Sequence, residues 1–386
     1  MTEVAVLDSE RFRTTDGEIA IINLDSARSR SWNRFYQDPK RPGVAETVLE
    51  HEQFEAQFPG DLSALGRLES LAEQFARLDG ASVRSNLIQA QVASVLHRFA
   101  DARHYLAQAN LGGASAADVK RILLNVDQAC GTELEAVLDE RRRVVAESGR
   151  FADMVALGAL LGDLGEFDDA DAAYRQALRE YQDVSPFPVA WVCFQLGMLW
   201  GELVPEPELA RAERWYRKAV ACLPSYVRAR VHLAEIYSAT DRLGDAEAML
   251  RPALASGDPE ASWRLADVLE AEGRLDEAAS HLEAARSGFE TLLDRHLLAF
   301  ADHGAEFYAG SGSDPLRAFE LAQINLKNRP TLRAFQQTHS IAHEAGGTAA
   351  AAEILAEATR RWGHTHAFQA SSLAQASLET GKGAAA

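Results

Sequence analysis

Residues 157–177 read LGALLGDLGEFDDADAAYRQA, and the order of small and large side chains in them decides the fold. Leu157-Gly158 and Leu161 fall on one helix, Gly165-Glu166-Phe167 makes a turn, and Ala170, Tyr174 and Ala177 fall on a second helix. A Gly in mid-helix lets a partner helix approach closely, and the large residue three positions on fills the space beside it. Ala followed by Tyr four residues later places both on one face of the second helix.

The same order recurs downstream. Leu196-Gly197 and Trp200 are followed by Ala212, Tyr216, Ala219 and Pro224, with extra residues in the turn from Gly201 to Glu208. Leu233-Ala234 and Tyr237 lead to Ala246, Leu250 and Ala253; Leu265-Ala266, Leu269 and Gly273 lead to Ala278, Leu282 and Ala285. Ala212 to Ala246 is 34 residues and Ala246 to Ala278 is 32. Each hairpin has an apolar face that it cannot bury alone, so only a stack of consecutive units is stable.

These residues resemble the tetratricopeptide repeat family, most strongly from Phe151 to Ala285. Looser hairpins extend the pattern: Val44 to Ala56 with Asp61 to Leu78 across Phe58-Pro59-Gly60, a unit through Leu87, His97-Arg98-Phe99 and Ala109, and Ala116 to Ala129 with Glu133 to Glu147. Downstream come Leu297 to Ala309 with Pro315 to Lys327, and Thr331 to Glu344 with Thr348 to Trp362. The resemblance implies an all-α, right-handed superhelical solenoid of about eight or nine antiparallel helical hairpins. The expected division is an irregular N-terminal arm over residues 1–43, a solenoid over 44–365, and a capping helix with a flexible tail over 366–386. Within the arm, Glu18 to Leu24 reads as a short strand or apolar arm, and Asp25 to Gly43 as an Arg-rich loop anchored by Trp32, Phe35 and Tyr36.

Composition narrows the function. The repeats consume nearly all of the 386 residues, leaving no block large enough for an attached catalytic domain, so the expectation is a non-enzyme without a cofactor. A net charge of −18 and only five lysines argue against nucleic acid, which demands clustered cations. The first ten residues lack a positive leader and a sustained apolar run, and no stretch approaches the roughly 20 apolar residues of a membrane span, so a cytoplasmic location is expected. Cys130, Cys193 and Cys222 are an odd, widely spaced set that fits reduced core thiols.

If the hairpins stack as the resemblance implies, the first helix of each lines a concave face that binds a peptide. Spacing on those helices aims Trp191, Phe194 and Met198, Arg228 and Glu235, and Glu260, Trp263, Asp267 and Glu270 inward. His303 and Phe307, then Gln336, His339 and His343, continue the stripe. Trp191, Phe194 and Trp263 are the expected apolar anchors, while Glu235, Asp267 and Glu270 suit a basic and partly apolar partner. The bland alternative is that the aromatics only fill gaps between hairpins, or are covered by the N-terminal arm.

Two other functions stay open at this level. His339 and His343 share a helix face, and with His303 from the preceding hairpin they supply three imidazoles for a metal; the metalloprotease carboxylate spacing is absent. A peptide-sensing regulator, in which ligand changes the solenoid's curvature, is the other. Arg141-Arg142-Arg143, and Arg211, Arg214, Arg217 and Lys218, lie among glutamates and read as solvated helix faces. Gly381-Lys382-Gly383 lacks the flanking residues of a phosphate loop.

Overall fold

The computed structural model describes residues 12–383, with side chains through residue 378. The first ten residues, the last three, and the side chains of Gly381-Lys382-Gly383 lie outside these bounds, and with them the expected lack of a leader, the flexible tail and the rejected phosphate loop.

Nine hairpins form among the described residues, at the positions that the small–large pattern marks. They are α2 (Val44–Gln57) with α3 (Ser63–Asp79), α4 (Val83–Val95) with α5 (Phe99–Leu111), and α6 (Ala116–Ala129) with α7 (Leu134–Ser148). Next come α8 (Phe151–Leu164) with α9 (Phe167–Glu180), α10 (Pro186–Met198) with α11 (Leu209–Cys222), and α12 (Val227–Ala239) with α13 (Leu243–Ala253). The helix α14 (Pro259–Ala271) pairs with the first part of α15 (Leu275–Ala309). A non-helical backbone at His296 breaks α15, and its second part pairs with α16 (Pro315–Asn328). The last hairpin is α17 (Leu332–Glu344) with α18 (Thr348–Trp362), followed by α19 (His366–Gln369) and α20 (Ser372–Gly383).

Local chemistry sets many of the starts. Ser82, Ser115 and Thr331 accept backbone N–H bonds at helix N-termini, and Asp258-Pro259 and Asp314-Pro315 combine a capping carboxylate with a first-turn Pro. The small–large interlock is literal. A Cβ on Gly197 would lie 2.4 Å from Tyr216 Cε1, and one on Gly158 would lie 3.0 Å from Tyr174, so each Gly is the recess for the facing aromatic. Ala170, Ala212 and Ala246 are fully buried at the crossings.

The segment before α2 departs from the expectation. Gly17–Gln37 is one helix, α1, where the sequence suggested a short strand or apolar arm and then a loop. The Ile-rich run favours a strand on propensity alone, but the Asp16 carboxylate accepts from Glu18 N and Ile19 N and nucleates a helix. Ala20, Leu24, Ser31 and Phe35 then form its buried stripe, while Ile19 and Ile22 face outward. At the other end, the single C-terminal helix expected over residues 366–378 is split between α19 and α20 at Ala370-Ser371.

The Arg-rich patches are only partly solvated. Arg141 is buried and donates to Asn125 and Gln128, and Arg211 pairs with Asp171 and stacks over Trp200, with 3.3 Å from its guanidinium carbon to the ring centre. Cys130 and Cys193 are buried and Cys222 is half-buried, all as free thiols.

The solenoid curls tightly enough for its early and late units to touch. Phe58 packs on Phe187 and Tyr226 at 5.0 and 4.9 Å between ring centres, and its carbonyl accepts from Val227 N. His97 O accepts from Asn328 Nδ2, Gly131 abuts Trp362, and Gly165 abuts the backbone of Ala367. One apolar core joins Phe35, Leu68 and Phe75 to Trp263, Phe289 and Phe307. The concave face is thereby turned into an interior. No described helix is long and apolar enough to cross a membrane.

Candidate functional site

Two adjoining cavities of about 880 and 550 Å³ occupy that interior. Glu202, Glu306, Arg329 and Arg333 stand on the walls of both, so the two cavities meet at these side chains, and together they are called the channel below. The larger part is walled by α6, α8, α17 and the C-terminal helices; the smaller by α10, α12, α14 and the second part of α15. Residues of α1 line neither.

Spacing on the first helices brings most of the expected groove residues together. Trp191, Phe194, Met198, Arg228, Glu235, Glu260 and His303 all stand on the smaller cavity, and Gln336 stands on the larger. Trp191 is half-buried and stacks on Phe194 at 6.0 Å; Phe194 itself is only 5% exposed, wedged among Tyr216, Tyr226 and His232.

Four expected residues lie elsewhere. Trp263 is 3% exposed, donates its indole N–H to Ser311 and meets Phe289 and Phe307 edge-on. Phe307 is fully buried, Asp267 accepts from the Ser311 hydroxyl, and exposed Glu270 is on neither cavity wall. On α14 the inward stripe is Glu260 and Arg264, while the adjacent stripe through Trp263 and Asp267 turns to α15 and the loop after it. The break at His296 swings the second part of α15 against α14, and that neighbour claims the aromatic.

The three histidines do not converge. His303 lies 3.7 Å from Glu260 on the channel wall, whereas His339 and His343 stack parallel, 6.4 Å apart, away from both cavities. Among the described residues no group of three His, Cys, Asp or Glu side chains is placed to hold a metal ion.

Charge fills the channel. A π-helical turn, Leu199–Leu203, continues α10 and carries Glu202 on the channel wall; such a turn adds a residue to the helix and re-aims its side chains. Glu202 lies 2.7 Å from His232 Nδ1, accepts from the Tyr216 hydroxyl at 3.3 Å and meets Arg333 at 3.4 Å. Glu235 pairs with Arg264 at 2.6 Å and with His232 at 3.3 Å. Arg264 also reaches Glu306 at 2.8 Å, and Arg329 holds Asp302 at 3.0 Å. Sequence spacing could have found His232, four residues after Arg228 and three before Glu235, and Arg264, four after Glu260. It had no means of pairing Glu202 with Arg333, 131 residues away.

The His232 pair makes stability depend on pH. Burial alone would lower the imidazole pKa, but Glu202, then Glu235 and Glu260, outweigh it and raise it to about 9. Burial likewise opposes ionisation of Glu202, and the His232 charge overrides it to hold the carboxyl down to about 2. A histidine raised above its unfolded value of 6.5 contributes stability that is full below pH 6.5 and lost as pH climbs through about 9. Wild-type protein is expected to lose on the order of 2 kcal/mol over that window, and His232→Gln to flatten the loss. Urea midpoints measured from pH 6 to 9.5 check this; parallel curves for the two proteins would contradict it.

A family model of the tetratricopeptide repeat matches residues 154–183, the hairpin of α8 and α9. No curated protein matches the chain. Among solved structures, MamA is 17% identical, with 47% of this chain and 98% of that one covered and a TM-score of 0.37. Yeast Tom70 is 13% identical over 93% of this chain and 96% of that one, with a TM-score of 0.33. The APC/C hetero-tetramer Cut9-Hcn1 is 14% identical over 92% and 67%, with a TM-score of 0.43. The tetratricopeptide repeat match covers one hairpin, α8 with α9, and the next hairpin, α10 with α11, repeats its packing of a Gly against a facing Tyr.

Proposed function

We propose that the protein is a cytoplasmic interaction scaffold that holds a segment of a partner protein in its inner channel. The observation that carries this is the pair of adjoining cavities inside the curled solenoid. Its two parts are sized for several side chains, and its walls mix half-buried Trp191 and Met198 with fixed charges. Such a lining offers apolar area for anchoring and directional groups for selecting a sequence. The channel walls carry a dense set of mutually paired charges, which suits recognition of a polar segment with a fixed charge pattern. A metal-dependent reaction gains no support from the separated histidines.

Site-specific photo-cross-linking tests the assignment. A benzophenone side chain replacing Met198 or Gln336 is expected to trap the same partner segment, while one replacing Leu275, which is 63% exposed and off the channel walls, traps none. Equal trapping at Leu275, or trapping there alone, would move the binding surface to the outside of the solenoid.

A further inference from the structure

The channel's charges are unequally committed, and the imbalance indicates what kind of segment it takes. Its central carboxylates are already paired within the fold: Glu202 with His232, and Glu235 with Arg264 and His232. A basic ligand would have to break such a pair, leaving a protein cation without its partner, which costs more than the new contact returns. The arginines differ. Arg228 stands on the smaller cavity, where its charge acts on Asp258 and Glu260, but it makes no direct hydrogen bond or close ion pair among the described residues, which leaves its donors open. Arg333 stands on both cavity walls, its side chain 60% exposed, with a single 3.4 Å contact to Glu202. Glu202 keeps His232 and Tyr216 if Arg333 turns away.

Resting on the channel assignment above, we propose that the bound segment is acidic, its Asp or Glu side chains received by Arg228 and Arg333. Arg333 exchanges its Glu202 contact for a ligand carboxylate, while His232 continues to neutralise Glu202. Guanidinium donors form paired, directional bonds to carboxylates, so this exchange gains a stronger interaction than it gives up. The outer acidity of the chain, −18 overall, does not oppose it at close range, because exposed charges beyond about 8 Å are largely screened at physiological salt. The expectation from sequence, a basic partner met by Glu235, Asp267 and Glu270, relied on carboxylates that the fold has either paired or turned away from the channel.

Three libraries of acetylated, amidated dodecapeptides, with alternate positions fixed as Glu, Gln or Lys and the rest randomised among Ala, Leu, Phe and Ser, provide the probes. Blocked termini leave side chains as the only source of carboxylate. With the full chain, fluorescence anisotropy is expected to show the Glu library binding at least about tenfold tighter than the other two. Arg228→Gln and Arg333→Gln should each weaken it about tenfold, with Arg142→Gln on an exposed helix face changing nothing. Circular dichroism melts of the variants separate lost binding from lost fold. Tighter binding of the Lys or Gln library, or undiminished Glu-library binding by the double arginine variant, overturns the acidic assignment. In that case cross-linking at Met198 and Gln336 shows whether the channel still holds the segment. Absence of binding by all three libraries, with no cross-link in the channel, overturns both inferences together.

Discussion

Glu52→Ala is expected to cost about 3–5 kcal/mol, one of the two largest single-residue effects anticipated here. The Glu52 carboxylate on α2 has no solvent exposure. It accepts the indole N–H of Trp32 at 2.6 Å and Arg67 Nε at 2.7 Å, and stands 3.7 Å from Arg28. One acidic side chain therefore ties α1 to α2 and α3. Truncation strands the indole N–H and removes the charge between two guanidiniums, while Arg67 and Arg28 retain only part of their pairing, through Asp61 and Asp25. Glu52→Gln keeps an acceptor and loses the charge, so roughly half the effect is expected. Urea unfolding followed by hydrogen exchange over α1 to α3 measures both, since repeat arrays can open segment by segment. A loss below about 1 kcal/mol for Glu52→Ala would show that the carboxylate does not hold these helices together.

Trp263→Ala is expected to cost a similar 3–5 kcal/mol, the range for emptying the space of a buried aromatic. Its ring lies between Phe289 and Phe307 in the core shared by the first and later hairpins, with Arg264 over its face at 3.6 Å and Ser311 on its N–H. Trp191→Ala supplies the contrast. Half-buried on the channel wall, Trp191 is expected to contribute less than about 1.5 kcal/mol to stability and much more to binding. Thermal melts of the two variants, with anisotropy against the Glu library for Trp191→Ala, separate the roles. An unchanged melting temperature for Trp263→Ala would remove Trp263 from the core.

The contrast between these two tryptophans marks how far sequence reaches. Helix spacing identifies both as members of an apolar stripe on the first helix of a hairpin. It does not say which neighbour takes the stripe. Trp191 faces the smaller cavity, which the π-helical turn after α10 also lines. Trp263 is covered because α15 breaks at His296 and its second part returns across α14. The N-terminal segment shows the same limit at the level of secondary structure. An Ile-rich run carries strand propensity, but the Asp16 cap and the buried stripe of α1 go with a helix there.

The sequence by itself determined the hairpins, their number to within one, and their turns, because these follow from local periodicity and from the need of each Gly or Ala recess for a facing aromatic. Only the tertiary structure decided that the concave face closes around two adjoining cavities and that Glu202, Glu235 and Asp302 on their walls pair internally with His232, Arg264 and Arg329. The physical reason is distance along the chain. Contacts such as Phe58 with Tyr226, His97 with Asn328, and Glu202 with Arg333 depend on the summed curvature of many hairpins, and no local pattern encodes that sum.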